Sequence, residues 1–562
     1  MLQEQTLQRL LVIMILVPPL IAMLVALVFR FGIKTRIDRR VEEGFLTWST
    51  RTLSGISLLS SFFLGWYANT EISLHFSVSI IDIYIDALSI YFVLLVNLVA
   101  FFASWYVAQF LAQEGKYASH WKHHNPATFH LLFNAFHLTM LVVPVVDNLV
   151  ILWMAVELTT VASVLLVRYR EQRRMVEAAW KYIMITSAGI VFALFGTIML
   201  ADAIQPQTCS AIAQTQAEIA CNALSPSLLM RWSNLAQPDI AKTLNEQLVR
   251  LAFLLALVGY GAKAGLAPLH TWLPDSHGEA PPPVSALLSG VLLKSGLYVI
   301  LRFYTITNLA LAKPDSTRSF TSGMLLLFGL FSLLLATPFI LKQPSRFKRV
   351  LAYHSLEHMG IILFGLGIGT GAALFGALLH ALNHALTKAF MFLGFATIRR
   401  QYEDQAEDPD LQDTDITGVL HGMPINGAML MAGGLGLVGS PPFSIFLSTF
   451  IILWAALASI LPGVHAERGP LQPIIYLIAT VLFLLALALI FGGLVGHLGR
   501  LLLGRPRFSG LSDPRFGEYA PLIILLAIIF LFGVWIPTTP VNFPALLDQS
   551  VHILLAGAPG SP

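Results

Sequence analysis

The chain has 562 residues, of which 56% are hydrophobic and only 12% charged. The apolar share lies well above, and the charged share near half of, the values of soluble domains, which excludes a soluble globule and a disordered chain. Thirty-four Lys and Arg stand against 31 Asp and Glu; that balance gives no basic footprint for nucleic acid, and the informative charges are the few inside apolar runs.

Apolar runs of around 20 residues recur throughout, each long enough to cross a hydrocarbon core of about 30 Å as a helix. They fall near 10–30, 52–68, 84–110, 129–146, 149–168, 178–203, 247–267, 283–304, 322–341, 349–367, 371–398, 417–456, 473–500 and 519–537. The predicted fold class is therefore all-α, a polytopic membrane protein of about fourteen spanning helices. The first run is too long for a signal peptide and lacks its small-residue cleavage site, so it is expected to stay in the membrane. Residues 399–416 read as a solvated acidic linker. The twelfth run contains Pro441-Pro442 and reads as a broken helix.

Orientation follows from Lys and Arg. Arg30, Lys34, Arg36, Arg39 and Arg40 follow the first helix, Arg168, Arg170, Arg173 and Arg174 the fifth, and Lys342, Arg346, Lys348 and Arg349 the ninth. These connections share one side, which the positive-inside rule makes cytoplasmic. Both termini and the polar insertion 204–246 are then expected outside, as in a bacterial inner-membrane protein with periplasmic ends. The 304–320 connection runs against the pattern, since Lys313 and Arg318 lie on the expected outer side. A disulfide between Cys209 and Cys221 is permitted there, and two thiols fit as well. Two cysteines cannot supply an iron–sulfur cluster or a four-cysteine zinc site, so no cofactor is expected and any redox chemistry is assigned to a partner.

Each ionisable group at bilayer depth costs about 2.5 kcal/mol or more on insertion scales. Glu157 sits in LVILWMAVELTTVASVLLV, Lys263 in VGYGAKAGLAP and Lys294 in SALLSGVLLKSGLYVILRF. His380, His384 and Lys388 follow at i, i+4 and i+8, along one face of a helix. Each of these six residues alone reads equally as a buried cross-link. Together, on four helices, they form the alternating acid, base and imidazole series that a proton relay needs. Zinc ligation by the two histidines is not favoured, since no Glu intervenes as in H-E-x-x-H and no third ligand is evident. GLGLVG at 434–439 matches a dinucleotide fingerprint by letter only; helix packing explains it better, and Gly261 with Gly265 reads the same way.

GYGAKAGLAPLHTWL and GGLGLVGSPPFSIFL each run from Gly-rich apolar sequence into Pro. Broken helices in matching positions point to inverted repeats with the site at the breaks. The expected organisation is 1–128, helices one to three; 129–304, a first five-helix repeat with its broken helix seven; 305–500, a second with its broken helix twelve; and 501–562, helix fourteen and a tail.

The run KAGLAPLHTWLPDSHGEAP at 263–281 resembles the signature of the antiporter-like subunits of respiratory complex I, Mrp antiporters and membrane-bound nickel-iron hydrogenases. EAAWKYI at 177–183 and LAYHSLEHMG at 351–360 are most similar to the large hydrogenase-4 and formate hydrogenlyase type subunit. The resemblance implies two proton half-channels meeting at a central hydrophilic axis. Glu157 and Lys263 would be its ion pair, Lys294 the helix-eight lysine, His380, His384 and Lys388 the helix-eleven relay, and His270 the histidine ahead of Trp272-Leu273-Pro274. The chain stops soon after helix fourteen, so the long lateral helix of the most distal complex I subunit is not expected. The family typically carries Glu or Lys where this chain has Thr449, so either a neighbouring subunit supplies the acid, the exit goes another way, or pumping is altered or absent.

The expected function is ion translocation within a multisubunit energy-coupling complex, alongside other membrane subunits and a peripheral catalytic subunit, with no active site in this chain. A proton-conducting half of an inorganic-carbon uptake system with a zinc, carbonic-anhydrase-like partner is the alternative, and a non-translocating scaffold a third.

Overall fold

The computed structural model describes residues 2–31, 39–67, 74–78, 81–117, 125–204, 230–311, 317–342, 346–408, 411–461 and 472–555. Helices one to six are Leu2–Phe31, Arg39–Tyr67, Ala87–Lys116, Pro126–Val142, Leu149–Val167 and Arg173–Asp202. Helix seven is Glu246–Lys263, followed after a break by Trp272–Glu279. Helix eight is Pro282–Ala310, helix nine Thr317–Lys342, helix ten Phe347–Ile368 and helix eleven Gly371–Ala406. Helix twelve comes in two pieces, Pro424–Leu437 and Ser444–Ala458. Helix thirteen is Gln472–Leu502 and helix fourteen Phe516–Val534.

Among the described residues, ten helices are long and apolar enough to cross a membrane. The expected spans two, seven, eleven and twelve fall outside that count, and three of them have a physical reason. Seven and twelve are interrupted, and eleven carries the buried His and Lys residues. The polytopic helical fold is as expected. Helices three, eight and ten lie in the core, whereas one, thirteen and fourteen keep much of their surface outward.

The two breaks are built alike. Each first half ends at a left-handed glycine, Gly265 at φ +73° and Gly439 at φ +72°, a conformation that costs an L-residue roughly 1–2 kcal/mol. A Cβ on Gly265 would lie 2.3 Å from the Leu273 side chain. Gly265 thus turns the chain, and it also lies against Leu293 of helix eight, which a Cβ would meet at 3.3 Å. The close approach between helices six and seven instead uses Gly259, where a Cβ would lie 2.3 Å from the Ala193 backbone nitrogen, and Gly189, at 2.4 Å from the Ala262 Cβ. Gly434 does pack as expected, against Leu498 of helix thirteen.

Other expectations are corrected. Helix two starts at Arg39, not near 52, and an antiparallel hairpin, β1 Leu74–Val78 with β2 Ile81–Ile85, precedes helix three. The acidic stretch after 398 is not a free linker. Helix eleven continues to Ala406, and its charges are paired: Arg399 with Glu403 at 2.7 Å and Asp413 at 2.8 Å, Arg400 with Glu518 at 3.0 Å, and Lys116 with Asp404 at 2.5 Å. A short helix, Phe543–Leu555, follows helix fourteen. Cys209, Cys221 and Lys313 lie outside the described residues.

Candidate functional site: two buried polar clusters

Helix five is capped by Asn148, whose side chain accepts from the backbone of Val150 and Ile151. Two turns later Glu157 sits half-buried, beside Met154 and Leu158, which are 50% and 54% exposed. Lys263 is the last residue before the helix-seven break and is fully buried. The expected ion pair is not a direct contact. Lys263 Nζ donates to Thr160 Oγ1 and, at 3.3 Å, to the Tyr182 hydroxyl, while Thr160 Oγ1 donates to Glu157 Oε2 at 3.2 Å. The other Glu157 oxygen accepts from Ser187 at 2.8 Å. One threonine hydroxyl therefore bridges acid and base, in the accept-and-donate arrangement that lets a proton pass without the ions meeting.

The second cluster is spread over four helices. Lys294 Nζ lies 2.5 Å from His384 Nδ1 and donates to the Ser289 carbonyl at 3.1 Å. The Ser289 carbonyl belongs to a π-turn, Leu288–Leu292, inside helix eight. Such turns appear often at functional sites. His358 of helix ten stands between the two helix-eleven histidines. Its Nδ1 is 3.0 Å from His380 Nε2, and its ring centre is 4.7 Å from that of His384. His380 Nδ1 reaches Ser448 Oγ at 3.0 Å and Thr449 Oγ1 at 3.4 Å. Lys388 Nζ donates to the Leu351 carbonyl.

His380, His384 and Lys388 thus share a face as expected, but none hands to the next along helix eleven. Their partners come from other helices, His358 and the Leu351 carbonyl of helix ten for His380 and Lys388 and Lys294 of helix eight for His384, because one helical turn separates their tips whereas His358 fits between His380 and His384. His270 is not joined to either cluster. It sits at the helix-seven break with Nδ1 3.2 Å from the Pro268 carbonyl.

Sequence reasoning missed His358, His354, Glu357, Thr160 and Ser448. His354 Nδ1 lies 2.5 Å from Glu357 Oε2, both groups being buried. The signal was the i, i+3, i+4 spacing of His354, Glu357 and His358 in an apolar run. These three could reach one metal ion, since their ligand atoms lie within 4.8 Å of one another. The direct His354–Glu357 bond and the nearby Lys294 ammonium fit a hydrogen-bonded relay better than a dication.

Between the clusters runs a wall of rings: Tyr182 stacks on Trp272 at 4.5 Å, and Trp272 faces His277 at 5.7 Å. The buried Nε2 atoms of His277, His358 and His384 have no protein partner, and buried polar atoms of this kind are normally satisfied by water.

Residues 146–463 match the family described as NADH:quinone oxidoreductase/Mrp antiporter, TM. The chain belongs to this family. A hydrogenase-4 component F homolog of Methylacidiphilum infernorum is 32% identical over 82% of this chain and 86% of its own length. Hydrogenase-4 component B of Escherichia coli is 28% identical over 67% of this chain, which spans about half, 51%, of that relative. Among solved structures, a chain of the archaeal membrane-bound sulfane sulfur reductase superposes with a TM-score of 0.71 at 21% identity, covering 97% of both chains. A chain of the Mrp complex from Dietzia sp. superposes with a TM-score of 0.71 at 15% identity over 99% of this chain and 97% of its own. The fold is therefore that of these membrane subunits, and the chain is a multi-pass membrane protein whose relatives are parts of multisubunit membrane complexes.

Proposed function

We propose that the chain is a proton-translocating membrane subunit, coupled to chemistry on a partner and without a catalytic site of its own. The observation that carries the reading is the bridged Glu157–Thr160–Lys263 group together with the Lys294–His384–His358–His380 group. Structural cross-links alone would need fewer buried charges, because each brings a desolvation cost for little net stability. Proton movement uses every one. Lys263 and Lys294 each close one half-channel, and His380, His384 and Lys388 extend the second.

A redox partner is the reading favoured by relatives named as hydrogenase-4 and quinone oxidoreductase components. The exposed apolar face around Glu157 supports an adjoining membrane subunit, since a carboxylate half-open to hydrocarbon needs cover. The basic connections support a bacterial inner-membrane setting with both termini outside.

The test is coupled proton flux in membrane vesicles that keep the native complex. Glu157→Gln and Lys263→Met should each abolish flux while the complex still assembles. Normal flux in either variant defeats the assignment.

A further inference from the structure

Lys294, Tyr298 and Arg302 follow one another at i, i+4 and i+8 on helix eight, all three buried, so they line a single face that climbs from the central cluster toward the side opposite the basic connections. The Tyr298 hydroxyl donates to the Pro144 carbonyl at 3.1 Å and lies 3.3 Å from Ser89 Oγ. Ser89 Oγ accepts from Arg302 Nη2 at 3.0 Å, and the Arg302 guanidinium grips both Asp86 oxygens at 2.7 Å each. Asp86, Arg302 and Thr305 line a cavity of about 750 Å³, with His75, Arg231 and His552 on its walls. Arg302 Nε is buried without a protein partner. The helix-twelve side looks different: among the described residues beyond Ser448 and Thr449 it presents Phe450 and Trp454, 52% and 64% exposed, as an apolar rim.

We propose that protons leave the central cluster along helix eight, from Lys294 past Tyr298 and Ser89 to Asp86 and the outer cavity, in place of the helix-twelve exit that Thr449 cannot serve. The inference rests on the translocation reading above. The step from Lys294 to Tyr298 spans one helical turn, about 6 Å of axial rise, which one or two waters cover. Tyr298 takes a proton on its oxygen as it gives up its own, Ser89 repeats the exchange, and Asp86 accepts the proton and loses it to cavity water. No bond other than O–H and N–H forms or breaks. Burial alone would raise the Asp86 carboxyl, and the facing guanidinium outweighs it and holds the group below the usual carboxylate range. Such an acid releases protons and does not store them, which suits a terminal position. A purely structural Asp86–Arg302 clamp would explain the tie between helices three and eight, with the Tyr298 hydroxyl adding a second tie to the Pro144 carbonyl, and the two readings part on proton flux.

Coupled flux in vesicles holding the native complex separates the two. Tyr298→Phe keeps the ring against Phe92 and removes only the hydroxyl. Asp86→Asn keeps a helix cap for Ser89 and removes the charge. Each should lower flux at least tenfold at matched assembly, and Asp86→Glu should restore most of it. Wild-type flux in Tyr298→Phe overturns the proposal, even if Asp86→Asn fails to accumulate. So does loss of flux in Ser448→Ala/Thr449→Val combined with normal flux in Tyr298→Phe. Glu157→Gln in the same vesicles reads the translocation assignment separately: its silence would defeat that assignment, whereas its loss of flux beside a normal Tyr298→Phe would remove only the helix-eight exit.

Discussion

The Thr160 hydroxyl accepts from Lys263 and donates to Glu157, so a single rotor decides whether acid and base communicate. Thr160→Val keeps the branched shape and removes both bonds. Flux should fall at least tenfold, about 1.4 kcal/mol on the barrier, while Thr160→Ser should keep most of it. Unchanged flux in Thr160→Val would show that acid and base act separately. Glu357 makes a second residue-level test. Its bond to His354 is short and wholly buried, and a hydrogen bond to a charged group contributes about 1.5–3 kcal/mol. Glu357→Gln should therefore lower the melting temperature of the solubilised protein, and no change would mean that the pair carries no net stability.

Those two tests concern residues that the sequence displayed only in part. Glu157, Lys263, Lys294, His380, His384 and Lys388 stood out because charge in an apolar run is expensive wherever it lies. Thr160 and Ser448 carried no such signal, since a hydroxyl is common in membrane helices and its importance comes from what another helix sets against it. His354, Glu357 and His358 were visible as letters. Their bearing on the site came only from the packing of helix ten against helix eleven, which places His358 between His380 and His384.

At the scale of elements, both helix breaks were legible because Pro and Gly act locally. The extension of helix eleven to Ala406 was not, because hydropathy counts Arg399, Arg400, Glu403 and Asp404 as solvated and cannot see their partners on helices three and fourteen. The hairpin β1–β2 and the early start of helix two were hidden for a similar reason: their polar residues mask an amphipathic or alternating pattern. Helix packing gives a sharper prediction. Gly259 lets helix seven meet the Ala193 backbone, and overpacking such a contact costs about 1–3 kcal/mol. Gly259→Val should reduce the assembled chain and displace Lys263, four residues on, from Thr160. Assembly and flux at wild-type levels would show that helices six and seven separate freely.

At the scale of the whole molecule, one set of paired charges gathers at one end, opposite Arg302 with Asp86 and Arg231 with Asp82. Arg346 with Glu279, Arg349 with Asp275, Arg399 with Glu403 and Arg400 with Glu518 join the basic connections that the positive-inside rule assigns to the cytoplasm. A cavity of about 510 Å³ opens among them, walled by Arg170, Arg173, Lys348 and Arg399. The other cavity, beside Asp86, lies at the opposite ends of helices three and eight. With the basic connections inside, a proton route between the two cavities crosses the membrane from inside to outside, and Lys313 with Arg318 is outweighed by three basic connections. Cysteine labelling decides this. With Cys209 and Cys221 replaced by serine, Lys242→Cys, exposed in the insertion, should react with an impermeant reagent in intact cells. Thr414→Cys, exposed beyond helix eleven, should react only after the cells are opened. The reverse pattern would invert the chain, turn the helix-eight face into an uptake route and make Asp86 the first acceptor.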